Sequence, residues 1–258
     1  MIRTPVVFIH GAWLHALSWE RWEERFAAVG YTTRAPGWPG EAATVREARE
    51  RPEALAGIGL DDLTDHHAAV VASCEVPPVI VGHSVGGLIA QQLIGAGLGR
   101  AAVAIAPAPF SAVAPPPDEG CAGGLVDVPL QLPVGRFREV FANAVSSEEA
   151  TLLHERYAVP GPGRLLGELG RGGAARRLEA MVDTANTARG PLLLVSGQED
   201  LVVPDRLTRG AYKEYGDSTA PTDLKQFADR GHSLVVDSGW RSVADYVLGW
   251  LDRRGVRP

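Results

Sequence analysis

Short runs of apolar, often β-branched residues alternate along this chain with stretches in which apolar residues recur at helical spacing. Such runs are typical of strands buried on both faces of a sheet, and the helical stretches are typical of helices that pack on one. The predicted strands are residues 5–9, 31–35, 79–81, 101–107, 191–196 and, more weakly, 223–227. This alternation predicts an α/β protein with a doubly wound, mostly parallel sheet of about six strands.

The pattern changes between residues 108 and 190, where no strand pattern occurs and three consecutive prolines, Pro115–Pro117, interrupt regular structure. Ser146 and Glu149 form a capping box that predicts the start of a helix. We therefore predict a helical cap at residues 108–190, inserted in a core of residues 1–107 and 191–258. Its apolar helix residues, some of which are predicted to roof a pocket, are Phe137, Phe141, Leu152, Leu153 and Tyr157.

Composition narrows the class of protein. The 258 residues include 25 Lys+Arg and 31 Asp+Glu, a net charge of −6 that disfavours nucleic acid and anionic membranes as partners. Cys74 and Cys121 are the two cysteines, which excludes a disulfide framework and zinc-ligand spacing. The start of the chain lacks a signal-peptide pattern and no apolar run has membrane-spanning length, so a cytoplasmic protein is expected. Residues 41–57 are charged and predict a solvated surface segment.

The sequence Gly82-His83-Ser84-Val85-Gly86 lies between a predicted strand and a predicted helix. A serine in this G-x-S-x-G context can occupy a sharp turn with its hydroxyl exposed above the sheet edge. The N-terminus of the following helix would stabilise negative charge beside it. Ser84 is therefore a candidate nucleophile, and the alternative is a tight turn with an unreactive serine.

A nucleophilic serine needs a base to accept its proton and a third group to orient that base. His232 and Asp200 follow predicted strands, so both are expected at the same sheet edge as Ser84. Glu199 is the rival to Asp200. Adjacent His66 and His67 would project in different directions from a helix and do not predict a metal site. Neither a metal nor a cofactor is expected.

The order Ser…Asp…His, the G-x-S-x-G pentapeptide, the Gly-x-x-Asp-x-x-Val-Pro run at 197–204 and the early His10-Gly11 pair resemble the α/β-hydrolase family over nearly the whole chain. The resemblance implies that Ser84 is the nucleophile, His232 the base and Asp200 the orienting acid. It also implies an oxyanion hole made by the backbone N–H groups of Ala12 and Val85. The first two strands of the standard fold are absent, as in the small methylesterases and hydroxynitrile lyases that this chain resembles.

The predicted activity is hydrolysis of a small-molecule carboxylic ester, thioester or lactone with an apolar part, through an acyl-enzyme on Ser84. Two other classes stay open: a carbon–carbon lyase or hydrolase on the same triad, and a ligand-binding protein that retains the fold. Lyases of this type use a lysine in the cap, and residues 108–190 contain none. His10 is predicted to brace its loop by a hydrogen bond. The candidate pocket residues, which could equally pack in the core, are Trp13, His15, Trp38, His83 and Phe110.

Overall fold

The computed structural model of the protein describes residues 3–109, 128–170 and 182–258. Within these ranges, six parallel strands form one sheet in the order β2-β1-β3-β4-β5-β6. The strands are β1 Pro5–Ile9, β2 Thr32–Arg34, β3 Val79–His83, β4 Ala101–Ile105, β5 Leu192–Gly197 and β6 Thr222–Phe227. The predicted fold class is therefore confirmed. Phe110, Cys121 and the proline run lie outside the described residues.

Helices connect the strands. The helices are α1 Glu20–Ala27, α2 Val45–Glu50, α3 Leu60–Ala72, α4 Val85–Gly95, α5 Val134–Arg136, α6 Ser147–Tyr157, α7 Gly163–Gly170, α8 Asp205–Lys213 and α9 Trp240–Arg253. Short 3₁₀ helices cover Ala16–Trp19 and Pro52–Leu55, and α5 continues as a π-helical turn at Phe137–Phe141. In the described part of the chain, no helix combines the length and the apolar character needed to cross a membrane.

The two faces of the sheet carry separate hydrophobic cores, because successive strand residues point to opposite faces. Val6, Phe8 and Val81 pack with residues of α1 and α9 on one face. Val7 and Ile80 pack with residues of α3, α4 and α8 on the other. The central strands are therefore apolar along most of their length, which explains the continuous runs in the sequence.

The described residues 128–170 between β4 and β5 contain α5, α6 and α7. Leu165 of α7 packs in the second of these cores, whereas the π-helical turn after α5 and helix α6 join the first. Phe137, Phe141, Leu153 and Tyr157 are buried there, and Leu152 is exposed. Ser146 caps α6 as predicted, since its Oγ accepts the Glu149 N–H at 3.1 Å. The domain boundaries at 108 and 190 stay a prediction.

The strand order reverses direction between β1 and β3, because β2 lies outside β1 and every later strand lies on the other side. Ligands of open parallel sheets bind at such a switch point, beyond the carboxyl ends of the strands. His10 follows β1 directly and Ser84 follows β3 directly. The sheet thus places the predicted nucleophile beside the loop that follows its first strand.

Candidate active site

Ser84 occupies a sharp turn between β3 and α4, with φ 55° and ψ −118°. A positive φ is strained for a residue with a side chain and persists only where the surroundings impose it. A Cβ on Gly82 would lie 1.9 Å from the carbonyl oxygen of Gly86, and one on Gly86 would lie 2.2 Å from that of Ile9. Both glycines of the pentapeptide are therefore required by close backbone contacts.

His232 and Asp200 form a buried pair at the same sheet edge. The Nδ1–H of His232 donates to Asp200 Oδ2 at 2.7 Å, and both side chains are at most 1% exposed. Asp200 Oδ1 accepts the backbone N–H groups of Val202 and Val203 at 2.8 and 2.7 Å, which fixes the carboxylate plane. With Nδ1 carrying its proton, Nε2 of a neutral imidazole is an acceptor. Glu199, the rival acid, is exposed.

His83 and Phe141 hold His232 from two sides. The Nε2–H of His83 donates to the backbone oxygen of His232 at 3.0 Å, and the two rings lie 4.6 Å apart. Burial, and then the nearby His232, lower the pKa of His83 well below its usual value. The Phe141 ring meets the His232 ring edge-on at 4.8 Å. His83 therefore contacts His232, the predicted base, and the sequence did not indicate this contact.

The loop after β1 lies against Ser84. Ile9 pairs with Gly82 in the sheet, and a Cβ on Gly11 would lie 2.8 Å from Ser84 Cβ. Val85 begins α4, so its N–H has no partner within the helix. Among the described residues, none accepts a hydrogen bond from the N–H of Ala12 or of Val85. The two N–H groups predicted to form an oxyanion hole thus lack an acceptor in the part of the chain that the structure describes.

The other predicted pocket residues that the structure describes make hydrogen bonds or ring contacts within the fold. Trp13, at φ 64°, donates its Nε1–H to Leu130 O at 3.2 Å and ties the β1 loop to the segment before α5. His15 caps the first 3₁₀ helix by accepting the Leu17 N–H, and it donates Nε2–H to Ala42 O at 2.9 Å. Trp38 is buried and stacks on His10 with ring centroids 4.5 Å apart. Phe110 lies outside the described residues.

The interpretation of residues 41–57 as a solvated surface segment is wrong for Glu41. Its side chain is 1% exposed, and its Oε1 lies 3.5 Å from Nε2 of His10. Burial raises the pKa of Glu41 to about 8. The charge pattern of the segment gave no sign that its first residue turns inward.

The segment that contains α5 and α6 also contacts the loops that carry Asp200 and His232. Asn143 donates Nδ2–H to Glu199 O at 2.8 Å, one residue before Asp200. Glu149 accepts the N–H of Ser238 at 2.5 Å and its hydroxyl at 3.1 Å. Within the described ranges, no three His, Cys, Asp or Glu residues are grouped so that they could hold a metal ion.

A parallel sheet, a serine on a strained strand-to-helix turn and a buried His–Asp pair at the same edge define the α/β-hydrolase class. The chain belongs to the alpha/beta hydrolase family, whose sequence model matches residues 6–246. This confirms the resemblance found in the sequence. None of the curated protein sequences matches the chain.

Solved structures similar to this chain share its fold. A methylesterase from Arabidopsis is 16% identical with a TM-score of 0.66, over 96% of this chain and 99% of that one. A monoacylglycerol lipase from Paleococcus ferrophilus is 18% identical with a TM-score of 0.72, over 98% and 97%. A pyrethroid hydrolase from Sphingobium faniae JZ-2 is 17% identical with a TM-score of 0.66, over 97% and 98%.

Proposed function

We propose that this protein is a cofactor-independent serine hydrolase that cleaves a carboxylic ester through an acyl-enzyme on Ser84. The observation that carries the proposal is the buried 2.7 Å hydrogen bond from His232 to Asp200, at the sheet edge where the strained turn holds Ser84. A buried carboxylate that orients an imidazole in this way is what activation of a serine hydroxyl requires.

In the proposed mechanism, Ser84 Oγ attacks the ester carbonyl carbon while Nε2 of His232 takes the hydroxyl proton. The N–H groups of Ala12 and Val85 stabilise the oxyanion of the tetrahedral intermediate, each contributing about 3–4 kcal/mol if comparable with measured cases. His232 then protonates the leaving alcohol, and Ser84 keeps the acyl group. A water molecule attacks the acyl-enzyme by the same steps, releasing the acid and restoring the Ser84 hydroxyl.

The structural neighbours support an ester as substrate class. The names of the three neighbours described above are a methylesterase, a monoacylglycerol lipase and a pyrethroid hydrolase. We extend ester hydrolysis, with an apolar part in the substrate, to this chain on that basis. The cytoplasmic setting and the cap over the site, both expected from the sequence, stay part of this proposal.

The proposal is tested with a panel of p-nitrophenyl esters and lactones of graded length. We expect wild-type turnover far above background and a loss of at least about 10³-fold in kcat/KM for Ser84→Ala. The matched control is Ser18→Ala, because Ser18 is also buried and its hydroxyl has no partner in the described part of the chain. Absence of turnover in the wild type, or undiminished activity of Ser84→Ala, would overturn the proposal.

A further inference from the structure

His10 and Glu41 form a buried pair behind the loop that follows β1. Both side chains are 1% exposed, and Nε2 of His10 lies 3.5 Å from Oε1 of Glu41. Neither of these two atoms has another hydrogen-bond partner within the described part of the chain. Oε2 of Glu41 accepts the Ala16 N–H at 3.4 Å, and the indole of Trp38 covers the imidazole. Two buried polar atoms without a hydrogen-bond partner that lie this close together call for a physical explanation.

The other nitrogen of His10 acts on the backbone of the same loop. His10 Nδ1 lies 3.0 Å from the carbonyl oxygen of Gly11 and can only donate to it, since a carbonyl oxygen accepts. The peptide between Gly11 and Ala12 is planar and trans, so its N–H points away from its C=O. The His10–Gly11 bond therefore fixes the direction of the Ala12 N–H, the donor assigned above to the oxyanion.

The hydrogen bond from His10 to Gly11 determines where the protons of His10 and Glu41 lie. An imidazole that carries its proton on Nδ1 presents a lone pair at Nε2 and needs a donor there. Oε1 of Glu41 lies 3.5 Å from Nε2, and it can donate only when the carboxyl group is protonated. Burial favours the uncharged forms of both groups: it raises the pKa of Glu41 to about 8 and lowers that of His10 to about 3.

We propose that Glu41 is a positioning residue which, as a neutral carboxylic acid, donates to His10 and so holds the Ala12 N–H in place for the oxyanion. The inference rests on the proposed ester hydrolysis, because it assigns a role in forming the same oxyanion hole. The covalent bonds of Glu41 do not change during the reaction. Its proton stays on the carboxyl group throughout.

Ionisation of Glu41 breaks the hydrogen bond from His10 to Gly11. A carboxylate facing Nε2 favours the tautomer of His10 that carries its proton on Nε2. Nδ1 then has a lone pair and cannot donate to the Gly11 oxygen, so the hydrogen bond that holds the Gly11–Ala12 peptide is lost. The rate of ester hydrolysis therefore falls as the pH rises through the pKa of Glu41.

The other titratable groups near His10 do not share this change. These are His15, His67 and His83, whose pKa values burial lowers, so all three are neutral throughout the alkaline range. Glu23 lines the same surface cavity of about 250 Å³ as Glu41 and also has a raised pKa, because it is partly buried. It accepts a hydrogen bond from Thr33 rather than contacting His10, which makes Glu23→Gln the matched control.

The experiment compares wild type, Glu41→Gln, Glu41→Leu and Glu23→Gln with one p-nitrophenyl ester between pH 6 and 10. The Gln side chain can donate to Nε2 of His10 and accept from Ala16, so Glu41→Gln rescues most of the kcat that Glu41→Leu loses. We expect Glu41→Leu to lower kcat by about 10- to 100-fold with little change in KM, as a misplaced oxyanion donor should. We also expect the fall above pH 8 to be present in wild type and Glu23→Gln and absent from Glu41→Gln.

Urea unfolding of the same variants gives a readout that needs no activity. Folded Glu41 holds its proton to higher pH than the unfolded chain does, so its contribution lowers stability as pH rises from about 4.5 to 8. The midpoint urea concentration of wild type should fall over this range more steeply than that of Glu41→Gln. If the wild type is active and Glu41→Gln shows the same fall in rate above pH 8, the positioning role is overturned and the proposed function is not. If the wild type is inactive, the proposed function is overturned. If the midpoint urea concentration changes with pH equally in wild type and Glu41→Gln, the proposal that Glu41 is a neutral carboxylic acid is overturned.

Discussion

Asp200 illustrates how much a single buried carboxylate can determine. Its Oδ1 accepts two backbone N–H groups and its Oδ2 accepts the proton on Nδ1 of His232. The two backbone bonds fix which oxygen faces the imidazole. The tautomer of His232, and with it the ability of Nε2 to accept a proton, therefore depends on this one side chain.

Asp200→Asn is expected to keep the fold and lose the activity. The amide oxygen can retain the bonds to Val202 and Val203, while the amide NH₂ faces Nδ1 and favours the wrong tautomer. We expect kcat to fall by about 10⁴-fold, as in a comparable triad, with a midpoint of thermal unfolding close to that of the wild type. Glu199→Gln changes the neighbouring exposed carboxylate and serves as the control. A similar loss of kcat in both variants would contradict the assignment of Asp200.

The sequence identified the residues whose neighbours in the chain form a recognisable motif. Ser84, Asp200 and His232 each follow a recognisable strand, and the chain order of the three is informative in itself. Glu41 carries no such signal, because its partner His10 lies 31 positions away in the chain and only the fold brings them together. Likewise the contact of His83 with the backbone of His232 depends on the packing of two separate strand ends.

At the scale of elements, the turn from β3 to α4 explains the two glycines of the pentapeptide. Gly82 and Gly86 bring backbone atoms so close together that no side chain fits between them. The same turn gives Ser84 its positive φ and leaves the Val85 N–H outside the helix hydrogen bonds. The periodicity of the sequence could predict this element, since strand, turn and helix signals are contiguous. It could not predict the π-helical turn at Phe137–Phe141, which forms where Phe141 packs on His232.

Two Gly→Ala changes test this account of the turn. Gly86→Ala places a Cβ 2.2 Å from the Ile9 carbonyl oxygen, so we expect it to lower the free energy of unfolding by at least about 3 kcal/mol. Gly210→Ala, inside α8, adds a Cβ that meets nothing within 4 Å and should raise it by about 0.5–1 kcal/mol. Urea denaturation of both variants measures the difference. Equal effects would show that the close contacts at Gly86 do not constrain the turn.

The whole molecule brings together groups from four strand ends. His10 follows β1, Ser84 follows β3, Asp200 follows β5 and His232 follows β6. Because the strands are parallel, all four loops lie at one edge of the sheet, and the strand order places β1 beside β3. The sequence predicted this convergence from the alternation of strands and helices. It could not predict that residues 128–170 would share a core with the sheet, since long-range packing of separate apolar stripes leaves no pattern in the chain.

The central claim is that this assembly makes Ser84 a nucleophile, and labelling with a small fluorophosphonate tests it most directly. We expect native wild-type protein to gain the mass of one adduct, mapped by proteolysis to the peptide that contains Ser84. Ser84→Ala and urea-unfolded wild type should gain none, because the base and the oxyanion donors act only in the folded chain. An adduct on a different serine, or equal labelling of Ser84→Ala, would contradict the account.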